Sequence, residues 1–134
     1  MSKQLGRNWA LLGGMLLMIF GVGCGFSREV TIGLEHDGQE IQLDIGEVLV
    51  LELESNPTTG YVWEVDEIDE MLLRLQGEPA YKASSGREFV GAGGVEVFRF
   101  EALSSGVAVL ELIYHRPWEE EKPIKTFSVR VVMQ

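Results

Sequence analysis

Residues 48–65 read VLVLELESNPTTGYVWEV and contain two segments of alternating apolar residues with a polar break between them. A period of two residues is typical of β-strands that bury one face, so the stretch predicts two strands, at 48–54 and 61–65, joined by a loop. Leu49, Leu51 and Leu53 would lie on one face of the first strand, and Tyr61, Trp63 and Val65 on one face of the second.

The break between these strands is conformationally restricted. Pro57 fixes its own φ and favours extended geometry at Asn56. Thr58 and Thr59 are β-branched and stiff at χ1, and Gly60 can take the positive φ that returns the chain to a strand. A loop of this kind has lost most of its conformational freedom before it meets a partner, so docking it costs less entropy than docking a Gly/Ser loop. We interpret these five residues as a recognition loop and call them the wedge.

Alternating segments also lie on both sides of this pair. They predict strands at Val30–Leu34, Glu40–Ile45, Val95–Leu103, Val107–His115 and Pro123–Met133. Asp37-Gly38 is a strong turn signal and predicts that the first two of these strands form a β-hairpin. The stretch 71–81 begins like a strand but contains Gly77 and Pro79, which predicts irregular structure there.

About seven short strands with turn-rich connections predict an all-β fold, an antiparallel β-sandwich of immunoglobulin-like type, over residues 30–134. The one cysteine of the chain, Cys24, precedes this region. The core is therefore expected to hold without a disulfide, through burial of the alternating faces at about 25 cal/mol per Å².

The direction of successive strands predicts where the loops lie. If the strands alternate between up and down, the wedge, the segment Lys82–Gly94 and the segment Arg116–Lys122 all lie at one end of the sandwich. Rigid sandwiches commonly carry function on such end loops. We therefore expect three loops on one functional rim.

The second of these loops contains Gly91-Ala92-Gly93-Gly94 directly before a strand. Glycines let a backbone approach another surface closely and expose N–H and C=O groups for strand-like pairing with a partner. We include this glycine run in the binding rim; a flexible turn is the alternative interpretation.

The third loop contains Arg116-Pro117-Trp118, followed by three glutamates. An indole among charged residues on a loop is typical of an interface anchor, because it buries a large rigid surface at little rotamer cost. Pro117 stiffens the base of the loop. Packing of the indole back onto Tyr114 or onto the stem of Arg116 is the structural alternative.

Taken together and in order, the wedge, the glycine run and the Trp118 loop resemble the three signature loops of the chagasin family of cysteine-peptidase inhibitors, over Val30–Val132. The resemblance implies an immunoglobulin-like sandwich whose loops plug the active-site cleft of a papain-like peptidase, as a reversible, tight-binding inhibitor. We expect the protein to be a monomer. It also implies that Thr58 and Thr59 approach the catalytic Cys/His pair of the peptidase. The glycine run would then lie along the nonprimed side of the cleft, and Trp118 would pack on the primed side.

The chain begins with a segment typical of a secretory signal peptide. Residues 1–9 carry Lys3 and Arg7 but no acid, residues 10–20 are apolar, and small residues follow. This order of charged, apolar and small regions predicts a signal peptide over residues 1–23.

Cys24 follows in a position that resembles the bacterial lipobox, although Gly21 stands where a leucine is usual. Acylated Cys24 would be the first mature residue, and residues 24–29 would tether a periplasmic or cell-envelope lipoprotein to a membrane. The alternatives are an ordinary cleavage site beside an incidental cysteine, and an uncleaved anchor over Trp9–Phe26. In every case the protein is expected to leave the cytoplasm.

The net charge argues against one class of partner. Without residues 1–23 the chain keeps all 21 acidic residues and loses Lys3 and Arg7, so the remaining 11 − 2 = 9 basic residues give a formal charge of 9 − 21 = −12. Every phosphate contact would have to overcome this repulsion, so nucleic acid is excluded as a partner.

Catalysis, metal binding and a cofactor are not expected either. His36 and His115 are the only histidines, and His115 is interpreted as a solvated histidine at the rim. Ser104-Ser105 has no evident base, and no Cys/His/acid spacing matches a metal site. An exported adhesion or assembly module is the alternative to an inhibitor, since sandwiches serve many roles. That alternative leaves the three unusual loops unexplained.

Overall fold

The structure, a computed structural model, describes residues 27–83 and 93–134. The signal peptide expected over residues 1–23, Cys24, Gly91 and Ala92 lie outside the described residues. Within them, short 3-10 helices lie at Leu34–His36 and Pro57–Thr59. The strands are β1 (Glu29–Gly33), β2 (Glu40–Leu43), β3 (Val48–Ser55), β4 (Val62–Glu67), β5 (Leu73–Leu75), β6 (Ala80–Ala83), β7 (Gly94–Ala102), β8 (Gly106–His115) and β9 (Lys125–Met133).

These strands form two sheets. One has the order β1-β3-β7-β5, with β6 also paired to β7, and the other has the order β2-β9-β8-β4. The main core lies between them and contains residues of both sheets, and a second, smaller cluster of buried residues contains Val48, Val50 and Val97. The predicted all-β, immunoglobulin-like sandwich is confirmed.

The core is built from the alternating faces that the sequence predicts. A fully buried Leu, Val or Phe side chain contributes about 1.5–3 kcal/mol of transfer free energy. The largest fully buried side chains of the described residues are Leu43, Leu49, Leu51, Leu53, Leu73, Phe98, Phe100, Leu110, Leu112, Phe127, Val129 and Val131. This core fixes the ends of β3, β4, β7 and β8, between which the loops of interest run.

The predicted hairpin of the first two strands is wrong. β1 pairs in parallel with β3, and β2 pairs in parallel with β9, so the two strands lie in different sheets and each sheet contains one parallel pair. Asp37-Gly38 does form a turn, but its groups bond to β9: Gly38 N donates to the Ser128 carbonyl at 2.7 Å and Asp37 Oδ1 accepts from Ser128 N at 2.8 Å. The turn therefore carries the chain from one sheet to the other.

The irregularity predicted for residues 71–81 is confirmed. β5 and β6 are short and are separated at Gln76–Pro79, where Gly77 has a φ of 65°. Both strands pair antiparallel with β7, β5 near its end and β6 near its start. Because Ala83 is opposite Gly94, β6 rises to the same end of the sandwich as β3.

Candidate functional site: three loops at one rim

The wedge is a single 3-10 turn stabilised by its own side chains. Asn56 is extended, with φ −131° and ψ 93°, and Gly60 has a left-handed φ of 82°, as the sequence predicts. Asn56 Oδ1 accepts from Thr58 N at 3.3 Å and from Thr58 Oγ1 at 2.6 Å, and Thr59 Oγ1 donates to the Asn56 carbonyl at 2.6 Å. The loop is thus ordered by contacts that need no partner.

These bonds also determine what the wedge presents to solvent. The side chains of Pro57, Thr58 and Thr59 are exposed, but both threonine hydroxyls donate within the loop. The Asn56 carbonyl also accepts from Thr59 N at 3.1 Å, and the Pro57 carbonyl accepts from Gly60 N at 3.0 Å. The tip therefore offers a proline ring and two threonine methyl groups, backed by carbonyls that are turned inward.

An aromatic cluster supports the wedge from below. The Tyr114 hydroxyl accepts from Asn56 N at 3.1 Å. Its ring lies 5.4 Å from that of Tyr61 and 5.0 Å from that of Trp63, within the range of favourable tilted pairs. Trp63 Nε1 in turn donates to the Glu54 carbonyl at 2.9 Å. Both ends of the wedge are consequently fixed to β3, β4 and β8.

Arg116 connects the third loop to the wedge. Its Nε donates to the Thr59 carbonyl at 3.0 Å, and its guanidinium carbon lies 4.4 Å from the centroid of the Tyr61 ring. Its Nη1 pairs with Glu119 Oε1 at 3.2 Å, across a turn in which Glu119 N donates to the Arg116 carbonyl at 3.0 Å. The side chain thereby joins two loops that are 57 residues apart in sequence.

Trp118 lies against the wedge but stays largely in solvent. A Cβ at Gly60 would lie 2.9 Å from Cζ2 of the indole and closer still to Cη2, so the ring rests on the bare backbone of that glycine. The side chain is nevertheless 68% exposed. The contact is with Gly60, which was not among the packing partners expected from the sequence. Gly60 is required both for its φ and for the approach of the ring.

The described part of the glycine run borders the wedge on its other side. A Cβ at Gly93 would lie 3.1 Å from the Ser55 carbonyl and 3.8 Å from Asn56 Cβ. Gly94 is buried in β7, opposite Ser55 and Ala83, and a Cβ there would collide with the Lys82 carbonyl. Packing therefore explains glycine at position 94.

The described parts of the three loops lie at one rim, as the strand directions predict. Gly93 approaches the wedge from one side, and Arg116 and Trp118 approach it from the other. Sequence reasoning did not identify Tyr61, Tyr114 or Glu119 as parts of this arrangement. Tyr61 was expected on a buried strand face and Tyr114 as a packing partner of Trp118, and nothing in the sequence indicated their contacts with the wedge.

Both histidines of the chain have polar partners among the described residues. His115 Nε2 lies 2.7 Å from Glu64 Oε2 on the neighbouring strand, and His36 Nδ1 accepts from Gly33 N at 3.1 Å. Across residues 27–83 and 93–134, no three His, Cys, Asp or Glu side chains are grouped so as to hold a metal ion. In the same part of the chain, no helix is long and apolar enough to span a membrane.

Comparison with known proteins identifies the family. Chagasin of Trypanosoma cruzi is 30% identical over 88 residues, which cover 62% of this chain and 77% of chagasin. The solved structure of the cysteine protease inhibitor EhICP2 from Entamoeba histolytica has a TM-score of 0.72 at 22% identity and covers 81% of this chain and 98% of its own. PbICP-C, solved in complex with falcipain-2, has a TM-score of 0.61 at 17% identity and covers 81% and 100%. Residues 42–131 match the family described as "Chagasin family peptidase inhibitor I42". The chain therefore belongs to the chagasin family of peptidase inhibitors.

Proposed function

We propose that this chain is a reversible, tight-binding inhibitor of papain-like cysteine peptidases and that it blocks the active-site cleft with the three loops of the rim. The observation that carries the proposal is the wedge: a rigid, exposed turn flanked on one side by Gly93 and on the other by Trp118. The family and the complex of PbICP-C with falcipain-2 support the same target class.

The geometry of the wedge accounts for inhibition without cleavage. A cysteine peptidase attacks the carbonyl of an extended peptide held in a near-attack geometry. In the wedge, the carbonyls of Asn56, Pro57 and Thr59 accept hydrogen bonds from Thr59 N, Gly60 N and Arg116 Nε respectively. A closed 3-10 turn of this kind fills the cleft but does not have the extended geometry that cleavage requires. Thr58 and Thr59 would face the catalytic Cys/His pair.

The free protein is already organised for this contact. Because the wedge is held by internal hydrogen bonds and by Tyr114, little conformational entropy is lost on binding. The exposed indole of Trp118 would bury most of its surface on the primed side of the cleft, where a large rigid ring acts as an anchor. The segment Gly91–Gly94 would lie along the nonprimed side, and Pro117 would limit the movement of the Trp118 loop.

The inhibitor is proposed to act as an exported monomer without a catalytic activity or a cofactor. Acylation of Cys24 after removal of residues 1–23 would attach it to a membrane of the cell envelope. Mass spectrometry of the protein from membranes tests this directly: a diacylated or triacylated N-terminal Cys24 is expected. A soluble chain that starts elsewhere would overturn the lipid assignment and leave the inhibitory function intact.

Titration of the purified domain against papain tests the inhibitory function. Residues 25–134 contain the whole described core, and EhICP2 covers a comparable length of chain as a folded protein. We expect stoichiometric inhibition at nanomolar concentrations, competitive with a peptide substrate. Met71→Ala, which changes an 80% exposed side chain far from the rim, should inhibit as well as the parent. Absence of inhibition at micromolar concentration would favour the adhesion module instead.

A further inference from the structure

The parallel pairing of β1 with β3 determines where the chain enters the sandwich. β3 ends at Ser55, directly before the wedge, and begins at Val48 at the opposite end. Glu29 is opposite Val48 and Gly33 is opposite Glu52. β1 therefore begins at the end of the sandwich farthest from the three loops. We call this end the distal pole; it contains the turns at residues 44–47, 68–72 and 103–105.

The chain is fixed to the distal pole from Arg28 onward. Val48 N donates to the Arg28 carbonyl at 2.9 Å, and Arg28 Nη1 lies 4.0 Å from Glu47 Oε1. Glu29 forms an ion pair with Arg99, which reaches from β7 to β1 across β3. Only residues 25–27 separate Cys24 from Arg28, and the four steps from one Cα to the next span at most about 14 Å.

The distance that this tether can span is shorter than the length of the sandwich along its strands. The eight residues of β3 alone span about 27 Å at the usual rise of a strand. For the rim to face the membrane to which Cys24 is attached, the distal pole would have to stand farther from the membrane than the tether allows. An inverted orientation is therefore sterically excluded for a chain held at Cys24.

We propose that the protein is held at its distal pole, with the three loops directed away from the membrane toward a soluble peptidase. This inference rests on the proposed inhibitory function and on attachment at or before Cys24. A peptidase whose cleft lies against the same bilayer would not be reached. The partner that fits is one that diffuses freely in the compartment outside the membrane.

The exposed charge of the distal pole works against close contact with an anionic membrane, so the short tether, and not electrostatic attraction, holds the pole there. Asp44, Asp69 and Glu70 are exposed there, and anionic lipid headgroups repel such a surface. Ile45 and Met71, 52% and 80% exposed, lie beside these acids. In the proposed orientation, apolar contact with lipid headgroups would be made by Ile45 and Met71 at the distal pole and not by the rim.

The single thiol of the chain allows a direct test. Residues 24–134 are coupled through Cys24 to a maleimide lipid in phosphatidylcholine vesicles. The matched control carries Cys24→Ser and Lys122→Cys, so that the lipid is attached beside the Trp118 loop. Each protein is titrated against soluble papain before and after coupling. We expect the protein anchored at Cys24 to inhibit within about threefold of its uncoupled form, and the protein anchored at position 122 to lose at least about 30-fold, because the rim then faces the bilayer.

A second readout does not depend on inhibition. Trp9 is absent from residues 24–134 and Trp63 is 3% exposed, so the exposed indole is that of Trp118. Spin-labelled headgroups should quench its fluorescence in the control and not in the protein anchored at Cys24.

The two proposals fail in different ways. Quenching in the protein anchored at Cys24, or loss of its inhibition on coupling, would overturn the orientation. If neither uncoupled protein inhibits papain, the proposed function fails, and quenching alone decides the orientation.

Discussion

Replacing Arg116 with alanine tests whether the wedge must be held in place before it binds. The substitution removes the hydrogen bond from Nε to the Thr59 carbonyl, the contact with the Tyr61 ring and the ion pair with Glu119. A hydrogen bond from a charged donor contributes about 1.5–3 kcal/mol, and a cation over an exposed ring contributes about 0.5–1 kcal/mol. The ion pair joins side chains that are 33% and 32% exposed, so after solvent screening it contributes only a few tenths of a kcal/mol.

Part of this free energy becomes a cost of binding, since the variant must order its loops on the peptidase. The internal bonds of the wedge and the Tyr114 contact persist, so we expect a net loss of about 1.4–2.8 kcal/mol, a 10- to 100-fold higher inhibition constant. Progress curves with papain measure the inhibition constant and the dissociation rate. Mass spectrometry after long incubation with papain should show slow cleavage within the wedge, because the Thr59 carbonyl is no longer engaged.

Arg130→Ala is the matched control, because Arg130 is 62% exposed on β9 and lies 3.7 Å from Glu40, away from the rim. It should leave both measurements unchanged. An Arg116→Ala protein with the parental inhibition constant would refute the argument. A weaker inhibitor whose wedge stays uncleaved would show that Arg116 contacts the peptidase directly and does not position the wedge.

Three further substitutions address single contacts of the rim. Trp118→Ala should weaken inhibition by about 2–4 kcal/mol and leave the unfolding temperature unchanged, since the ring is 68% exposed; equal inhibition constants would remove Trp118 from the mechanism. Gly60→Ala places a Cβ at φ 82° against that ring, and urea denaturation should show a loss of at least about 1 kcal/mol, whereas a variant as stable as the parent would disprove the contact. Tyr114→Phe removes the acceptor for Asn56 N, and a stability loss of about 1 kcal/mol is expected in the same assay; no loss would mean that the hydroxyl does not hold the wedge.

The wedge and its flanking strands could be predicted because the information that specifies them is local. Pro57 and Gly60 restrict the backbone at their own positions, and the alternation around them specifies which side chains are buried. The shared rim followed from strand directions alone. These predictions required no knowledge of which strands are paired.

The pairing of β1 and β2 could not be obtained in this way. Asp37-Gly38 has the composition of a hairpin turn, but its polar groups bond to Ser128, which is 91 residues away from Asp37. Tertiary hydrogen bonds therefore override a strong local signal. Val48 and Val50 illustrate the same limit, because both are 4% exposed on the face that alternation assigns to solvent.

The contacts between the loops also could not be predicted from the sequence. Nothing local indicates that Arg116 reaches the Thr59 carbonyl or that the Trp118 ring covers Gly60. Such contacts depend on how far apart two strand ends lie and on side-chain direction, which a period of two residues does not specify. The sequence could place the three loops at one end and could not show how they touch.

The pairing of Ala83 with Gly94 at the start of β7 has a consequence for engineering. Partner residues in antiparallel strands have Cα atoms about 4.5–5.5 Å apart, so any peptide inserted between them begins and ends at a fixed separation. The entropy of closing such an insert changes slowly with its length. Libraries in which residues 84–92 are replaced by segments of different lengths are therefore expected to keep the register of β6 and β7. Selection from such libraries gives a route to inhibitors with altered peptidase selectivity.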